Sequence, residues 1–333
     1  MFALPFVLSF LFLYFLIKYA PKIGLLDIPN NRSIHTTPIP RSGGIGFMSA
    51  FLLSFALLET TLFLQNIFLF AAITLIFLTG IYDDYKGLSP KVKFLAIGVA
   101  TLFLYLEGIS IDSLGSYFGF DITLSLLAIP FTLFVVSGFT NALNLIDGLD
   151  ALAGGISVVI LVTFAYIGFV FNDALIMMLS LFGISVVMAF LLFNAPPAKI
   201  FMGDSGSLSL GFLISTIAIL SIKYIHPVTI LYLAAIPIID TIVVMLRRIN
   251  MNRSPFLADK THMHHILSSF FGSTKQSVLF LILAQLLFCF LGYVVARHIE
   301  HYPQGLFPLA MIVAFFIFIA MAYMVFTAVL KKG

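Results

Sequence analysis

Charge is what this 333-residue sequence has least of: 9% of its residues are Asp, Glu, Lys or Arg, against 61% that are apolar. An ordinary soluble domain carries about 25% charged and roughly 45–50% apolar residues. A water-soluble globule is therefore excluded, and the chain reads as an all-α, polytopic transmembrane helical bundle. Cysteine is nearly missing too. Cys289 stands alone, which rules out an internal disulfide, and its apolar run between Leu281 and Phe290 predicts a buried thiol. No basic residue precedes the first apolar run and Lys18 follows it, the reverse of a signal peptide, so that run is expected to be a retained span. Internal repeats, heptad seams and long linkers are lacking, and residues 1–333 are read as one integral-membrane domain. The net charge is only +3, and its placement matters more than its sum; nucleic acid is not an expected partner.

What is present is a series of apolar runs bounded by charge, Pro, Gly or Asn. Eleven are expected as spans, with ten as the alternative count: Phe2 to Ala20, Gly44 to Leu58, Ile67 to Tyr82, Phe94 to Leu106, Ile122 to Thr140, Ala151 to Phe171, Ala174 to Phe193, Ser205 to Ile222, Val228 to Leu246, Val278 to Ala296 and Leu306 to Leu330. If these alternate across a bilayer, 15 of the 17 Lys and Arg fall on one side and only Lys223 and Arg297 on the other. Positive charge marks the cytoplasmic side, so the N-terminus is expected outside and the C-terminus in the cytoplasm. Segments 21–43, 83–93, 141–150, 194–204 and 247–277 then form the cytoplasmic loops in which chemistry is expected.

Carboxylates are costly at membrane depth and usually functional when found there. Almost none sits mid-span here, and the polar residues gather on the cytoplasmic side in four constellations. In the first, Asp83-Asp84 is followed by Lys86, Ser89-Pro90 and Lys91. Adjacent carboxylates suit a hard divalent cation or a general base, and equally a solvated loop with a helix cap at Ser89-Pro90. The second runs from Asn141 through Asn144 and Asp147 to Asp150 and on to Gly154-Gly155. Helical spacing brings Asn141, Asn144 and Asp147 near one face, an electronegative pocket with no Lys or Arg. The third runs from Asn194 to Ser207. Gly203 and Gly206 around Asp204 predict a tight turn into a helix N-terminus, fit for phosphate oxygens, for presenting Asp204 to a cation, or for a plain N-cap. Phe201 could stack on a nucleobase or simply pack.

The fourth constellation is Asp259-Lys260-Thr261-His262-Met263-His264-His265. It lacks the spacing and Cys partners of a zinc site, and with Arg247, Arg248 and Arg253 nearby it reads better as an anion clamp. A basic loop lying on anionic lipid explains the Arg residues but not the histidines. Asp240, seven residues before Arg247, could line a cavity or pair with a polar neighbour. His226, His298 and His301 lie near the external ends of spans.

In this order, Gly24 to Asn30, Pro40 to Gly44, Asp83-Asp84, Asn141 to Asp150, Phe201 to Ser207 and the His cluster resemble the polyprenyl-phosphate N-acetylhexosamine-1-phosphate transferases of glycosyltransferase family 4. The resemblance spans most of the chain. His262-Met263-His264-His265, in place of three consecutive His and an aromatic, is similar to the undecaprenyl-phosphate N-acetylglucosaminyl-1-phosphate transferase branch.

That resemblance implies a bacterial inner-membrane enzyme that moves N-acetylhexosamine 1-phosphate from a UDP-N-acetylhexosamine to undecaprenyl phosphate and releases UMP, starting a cell-surface polysaccharide or teichoic-acid linkage lipid. It implies Mg²⁺, with Mn²⁺ as the alternative, and a homodimer. Asp83, Asp84, Asp204, His264 and His265 are the implied catalytic residues, and Asp204, Asn144 and Asp84 the implied metal ligands. Asn141, Asn144, Asp147, Asp150, Asn194 and Phe201 are implied to bind the nucleotide, with Arg41 and His262 toward the diphosphate and sugar. The phospho-N-acetylmuramoyl-pentapeptide transferase of peptidoglycan, or a transferase for another UDP-amino sugar, is the alternative within the family. A transporter is the alternative outside it, disfavoured because its ion sites would lie near the midplane on broken helices.

Overall fold

The computed structural model describes residues 2–29, 37–254, 261–299 and 305–332. Asn30, Asp259, Lys260 and His301, singled out above, lie outside the described residues. The chain divides into two compact units, residues 1–110 with 129–221, and residues 111–128 with 222–333.

The first unit is built from helices α1 (Ala3–Ile23), α2 (Gly43–Leu58), α3 (Thr60–Gln65), α4 (Ile67–Lys86), α5 (Pro90–Leu106), α6 (Ala128–Ile146), α7 (Leu152–Val170), α8 (Ala174–Asn194) and α9 (Gly203–Ser221). A two-residue antiparallel pair, β1 (Leu26–Asp27) and β2 (Ile39–Pro40), links α1 to α2 in register Leu26 to Pro40. Helix α9 is the core: all its residues except Asp204 and Leu220 are buried, and α2, α4, α7 and α8 pack on it. Three of its buried hydroxyls bond back one turn, Ser209 to the Ser205 carbonyl, Thr216 to Phe212 and Ser221 to Ile217.

Helix ends in this unit are closed by residues legible in the sequence. Gly24, at φ 76°, ends α1 in the left-handed region and returns its N–H to the Ala20 carbonyl. Pro90 occupies the first turn of α5 behind an extended Ser89, as the Ser-Pro pair predicts. Glu107, just past α5, accepts the Phe68 and Leu69 N–H groups at 2.7 and 3.1 Å and so satisfies the start of α4.

The second unit holds an antiparallel hairpin, β3 (Ser113–Tyr117) and β4 (Phe120–Thr123), and helices α10 (Pro227–Leu233), α11 (Ala235–Asn250), α12 (Met263–Phe271), α13 (Thr274–Ile299) and α14 (Leu306–Lys332). Helices α10 and α11 form one apolar stretch bent by 83°. The bend frees backbone groups among apolar side chains, and Gln285 of α13 meets them: Oε1 accepts the Ile236 N–H at 3.0 Å and Nε2 donates to the Leu233 carbonyl at 2.8 Å. Cys289, one turn further along α13, is buried beside the same break.

Every expected apolar run is mainly helical, but the expected eleven spans are not reproduced as such. Among the described residues eight helices are long and apolar enough to cross a membrane, or nine if the bent α10–α11 pair is one span. Helix α2 is apolar but short, and α5 has 17 residues. The fifth run also differs: Ile122 and Thr123 belong to β4, and its helix begins at Ala128 and continues to Ile146. Apolar residues mark burial or lipid contact without distinguishing strand from helix at a run's edge.

Candidate active site

Four parts of the first unit, residues 40–44 and helices α4, α5 and α6, converge on the N-terminus of α9. The polypeptide around Pro40 to Gly44 lies along residues 201–202, with the Phe201 N–H donating to Pro40 O at 2.8 Å, the Gly43 N–H to Phe201 O at 2.9 Å and the Gly44 N–H to Met202 O at 2.7 Å. Two motifs far apart in sequence are thus zipped by backbone. Glycine is required where they meet: a Cβ on Gly44 would lie 2.0 Å from the Gly206 nitrogen. Gly203, at φ 71°, turns the chain into α9, and a Cβ there would meet the Asp84 carboxylate at 2.7 Å.

Asp84, near the end of α4, supplies the cap that α9 lacks from its own sequence. Its Oδ1 accepts the Asp204 N–H at 2.7 Å and its Oδ2 the Ser205 N–H at 2.9 Å, a carboxylate at the positive end of a helix. Oδ1 also takes the Arg41 Nε at 3.2 Å. The Asp84 side chain is fully buried, and its two oxygens brace α9 and Arg41.

Asp204, in the first turn of α9, stays partly open, and the charged and amide groups of the site point at it. Asn144 Nδ2 lies 3.2 Å from its Oδ1 and 2.8 Å from the Ser207 hydroxyl. Arg41 Nη2 lies 3.9 Å from the same Oδ1. Lys93 Nζ closes on Asp204 Oδ2 and, at 2.6 Å, on Asp83 Oδ2. Asp83 is otherwise held by the Leu88 N–H. The result is a compact alternation of charge in which one ammonium bridges two carboxylates.

Lys93 was absent from the expected site residues. A signal was available, since a lysine in the first turn of a helix opposes the macrodipole and calls for a nearby carboxylate. Arg41 sits among so many acids that, although burial lowers its pKa, Asp84, Asp204, Asp27 and Asp83 hold it above the ordinary value.

Around this centre the 141–150 and 194–204 segments interlock. Helix α6 ends at Ile146, so Asn141 and Asn144 share it one turn apart while Asp147 lies just beyond it. Burial, followed by the charges of Asp204 and Asp84, pushes the Asp147 carboxyl well above its usual pKa. Asp150 accepts the Ala198 N–H at 3.0 Å. Asn194 is buried, accepting the Ala151 N–H and donating to the Ile200 carbonyl, both at 2.8 Å. Both side chains, expected at the nucleotide, hold the 194–204 loop in shape.

Can this site take a divalent cation? Its donors are carboxylate and amide oxygens, and Asp83 and Asp204 already share a cationic nitrogen. Among the described residues no three His, Cys, Asp or Glu side chains are grouped to hold a metal ion. A closed structural site is thereby disfavoured, whereas Mg²⁺ needs only one or two carboxylates and takes water and substrate phosphates for the rest. The set around Asp204 and Asn144 fits that demand.

The histidine motif belongs to the second unit. His262 stands at the N-cap of α12, 2.7 Å from Asp240 through Nδ1, and the Met263 N–H donates to the other Asp240 oxygen at 2.6 Å. Asp240 is therefore paired, one of the two alternatives its position left open. The rings of His262 and His264 stack at 5.7 Å, and those of His264 and His265 lie 4.2 Å apart. His264 is 1% exposed, and burial, reinforced by His265, lowers its pKa to about 3, so the ring is neutral at physiological pH. Arg247, also buried, donates to the Thr261 carbonyl just before the motif.

Comparison with known proteins places this geometry in context. The family model described as glycosyl transferase family 4 matches residues 66–222, a stretch containing Asp83, Asp84, Asn144 and Asp204. The sequence is 40% identical over 282 residues, 81% of this chain and 77% of the relative, to a Bacillus subtilis (strain 168) protein named "probable undecaprenyl-phosphate N-acetylglucosaminyl 1-phosphate transferase". It is 31% identical over 326 residues, 94% of this chain and 88% of the relative, to the undecaprenyl-phosphate α-N-acetylglucosaminyl 1-phosphate transferase of Escherichia coli (strain K12). The Yersinia pestis protein of the same name matches at 31% identity over the same shares.

Proposed function

The chain belongs to glycosyl transferase family 4, and on that premise we propose that it transfers N-acetylglucosamine 1-phosphate from UDP-N-acetylglucosamine to undecaprenyl phosphate, releasing UMP. The observation that carries this reading is the alternating charge at the head of α9, where Asp83, Lys93, Asp204, Arg41 and Asp84 meet. Phosphoryl transfer asks a protein mainly for positioning and charge neutralisation, and this cluster is suited to both.

In the proposed reaction an oxygen of the lipid phosphate attacks the β-phosphorus of the nucleotide sugar. The bond from that phosphorus to the bridging oxygen breaks, and the bridging oxygen leaves with UMP. Asp83 orients the lipid phosphate and takes its proton; a phosphate monoester has a second pKa near 6, so a weak base suffices. Asp204 would hold Mg²⁺, or Mn²⁺ in its place, with Asn144 as a second ligand once its amide turns its oxygen toward Asp204, and the ion would neutralise diphosphate charge. Lys93 keeps Asp83 and Asp204 from repelling one another, and Asp84 fixes Arg41 toward the diphosphate. Asn141, Asp147 and Phe201 form the uridine side, on a loop shaped by Asp150 and Asn194. His262, His264 and His265 serve the diphosphate and sugar.

The enzyme is placed in the bacterial inner membrane as a homodimer, with these loops facing the cytoplasm, at the start of a surface polysaccharide or teichoic-acid linkage lipid. The test is UMP release by the detergent-purified protein with undecaprenyl phosphate and Mg²⁺. UDP-N-acetylglucosamine and UDP-N-acetylmuramoyl-pentapeptide are supplied in parallel. Release with the first donor alone is expected. Release with the second alone moves the chain to the peptidoglycan branch, and release with neither overturns the reading.

A further inference from the structure

The reading above uses the histidines but leaves Asp240 idle, although it is a buried carboxylate in the apolar α11, where an acid is costly unless it is used. We propose that Asp240 is the positioning residue of the histidine motif: its one carboxylate fixes both the ring of His262 and the first turn of α12, and so aims the side chains of His262, His264 and His265. This rests on the transferase reading for its effect on turnover.

The geometry carries it in three steps. Asp240 is 1% exposed and His262 5%, so their contact at 2.7 Å is shielded from water. A carboxylate only accepts, so His262 Nδ1 carries the proton, and Nε2 of the neutral ring is left to accept from a substrate hydroxyl. The other Asp240 oxygen accepts the Met263 N–H at 2.6 Å, one of the donors at the start of α12 that no side chain of the helix itself caps. The His265 and Ile266 N–H groups both return to the His262 carbonyl, at 3.0 and 3.2 Å, so the turn anchored by Asp240 is the one that carries all three rings.

Asp240 accepts at both oxygens, from a ring and from a backbone N–H, and an amide cannot replace it: an Asn side chain has one acceptor and one donor end, so facing two donors it leaves one unmatched.

The test is a double-mutant cycle on UMP release. Asp240→Asn is expected to lower kcat on the order of 10- to 100-fold, the range that follows removal of a carboxylate behind a functional imidazole, with KM for UDP-N-acetylglucosamine changed by less than about threefold. Added to His262→Asn it is expected to cost several-fold less than it does alone, because the ring it holds is gone and only its hold on the Met263 N–H remains to be lost. Normal kcat in Asp240→Asn, or full multiplication of the two effects, overturns the proposal.

A second measurement does not depend on turnover. In wild-type protein carrying ¹⁵N-histidine, the His262 signals, identified by their loss in His262→Asn, are expected to show a protonated Nδ1. A ring protonated at Nε2 alone overturns the proposal even if every donor proves inactive. A protonated Nδ1 in an inactive protein upholds the pairing while the transferase reading fails.

Discussion

At the scale of single residues, the site is organised by groups whose partners are fixed and whose loss leaves other groups stranded. Asp84→Ala removes the acceptor of two buried N–H groups at the head of α9. It is expected to cost on the order of 2–6 kcal/mol, at about 1–3 kcal/mol for each of the two donors left unsatisfied. Thermal unfolding of the detergent-solubilised protein checks this, and a wild-type melting temperature would show that Asp84 is no brace. His264 makes a pH-dependent contribution of opposite character. Its folded pKa is lowered from 6.5 to about 3, so the stability attached to its neutral ring is fully present above pH 6.5. It is lost as pH falls from there toward 3, because the unfolded chain binds the proton first. Melting temperatures taken from pH 7.5 to 4.5 are expected to fall, this group removing up to about 1.4 kcal/mol of stability per pH unit, and His264→Gln to flatten the fall.

At the scale of elements, close approach decides more than propensity. Gly44 of α2 and Gly206 of α9 nearly touch, and α2 has no room to retreat because its Gly43 and Gly44 N–H groups are bonded to residues 201 and 202. Gly44→Ala is therefore expected to destabilise by about 3 kcal/mol or more, at the upper end of overpacking costs. Gly24, which ends α1, is left-handed at φ 76° and ψ 14°, and a Cβ there would meet nothing within 4 Å; Gly24→Ala is expected to cost only the left-handed backbone penalty of roughly 1–2 kcal/mol. Melting curves for the two variants should separate clearly, and equal losses would show that packing at α9 is slack. Helices α1, α4 and α5 and the start of α9 were legible from apolar runs, Pro90, Gly24 and the Gly203-Asp204 turn. The β4 strand and the 83° break at α10–α11 were not, since one apolar run reads the same whether straight, bent or partly extended.

At the scale of the whole molecule, the expected chemistry and the membrane topology can each be tested as a unit. Chelation is expected to abolish UMP release, and added Mg²⁺ to restore it while lowering neither the melting temperature nor monodispersity. Activity surviving exhaustive chelation would remove the metal from the mechanism. A reporter fused after residue 333 is expected to be active in its cytoplasmic form, following the 15 of 17 Lys and Arg that fall on one side if the eleven apolar runs alternate. External reporter activity would invert the topology.

What the sequence determined by itself is the class and the inventory. Scarcity of charge makes a membrane helical protein, because each apolar run can satisfy its backbone only as a helix, and the ordered Asp, Asn, Gly and His motifs name the family. The tertiary structure decided the assignments within that inventory. Asp83 and Asp84 are neighbours in sequence, yet successive helical positions lie about 100° apart, and so one carboxylate turns to Lys93 while the other caps α9. Asp240 and His262 are 22 residues apart and pair only because α11 and α12 fold together. Lys93 looked like one more cytoplasmic charge until α5 delivered it between two acids. Composition and spacing report which groups a chain owns; which of them meet depends on long-range packing, a property of no local window.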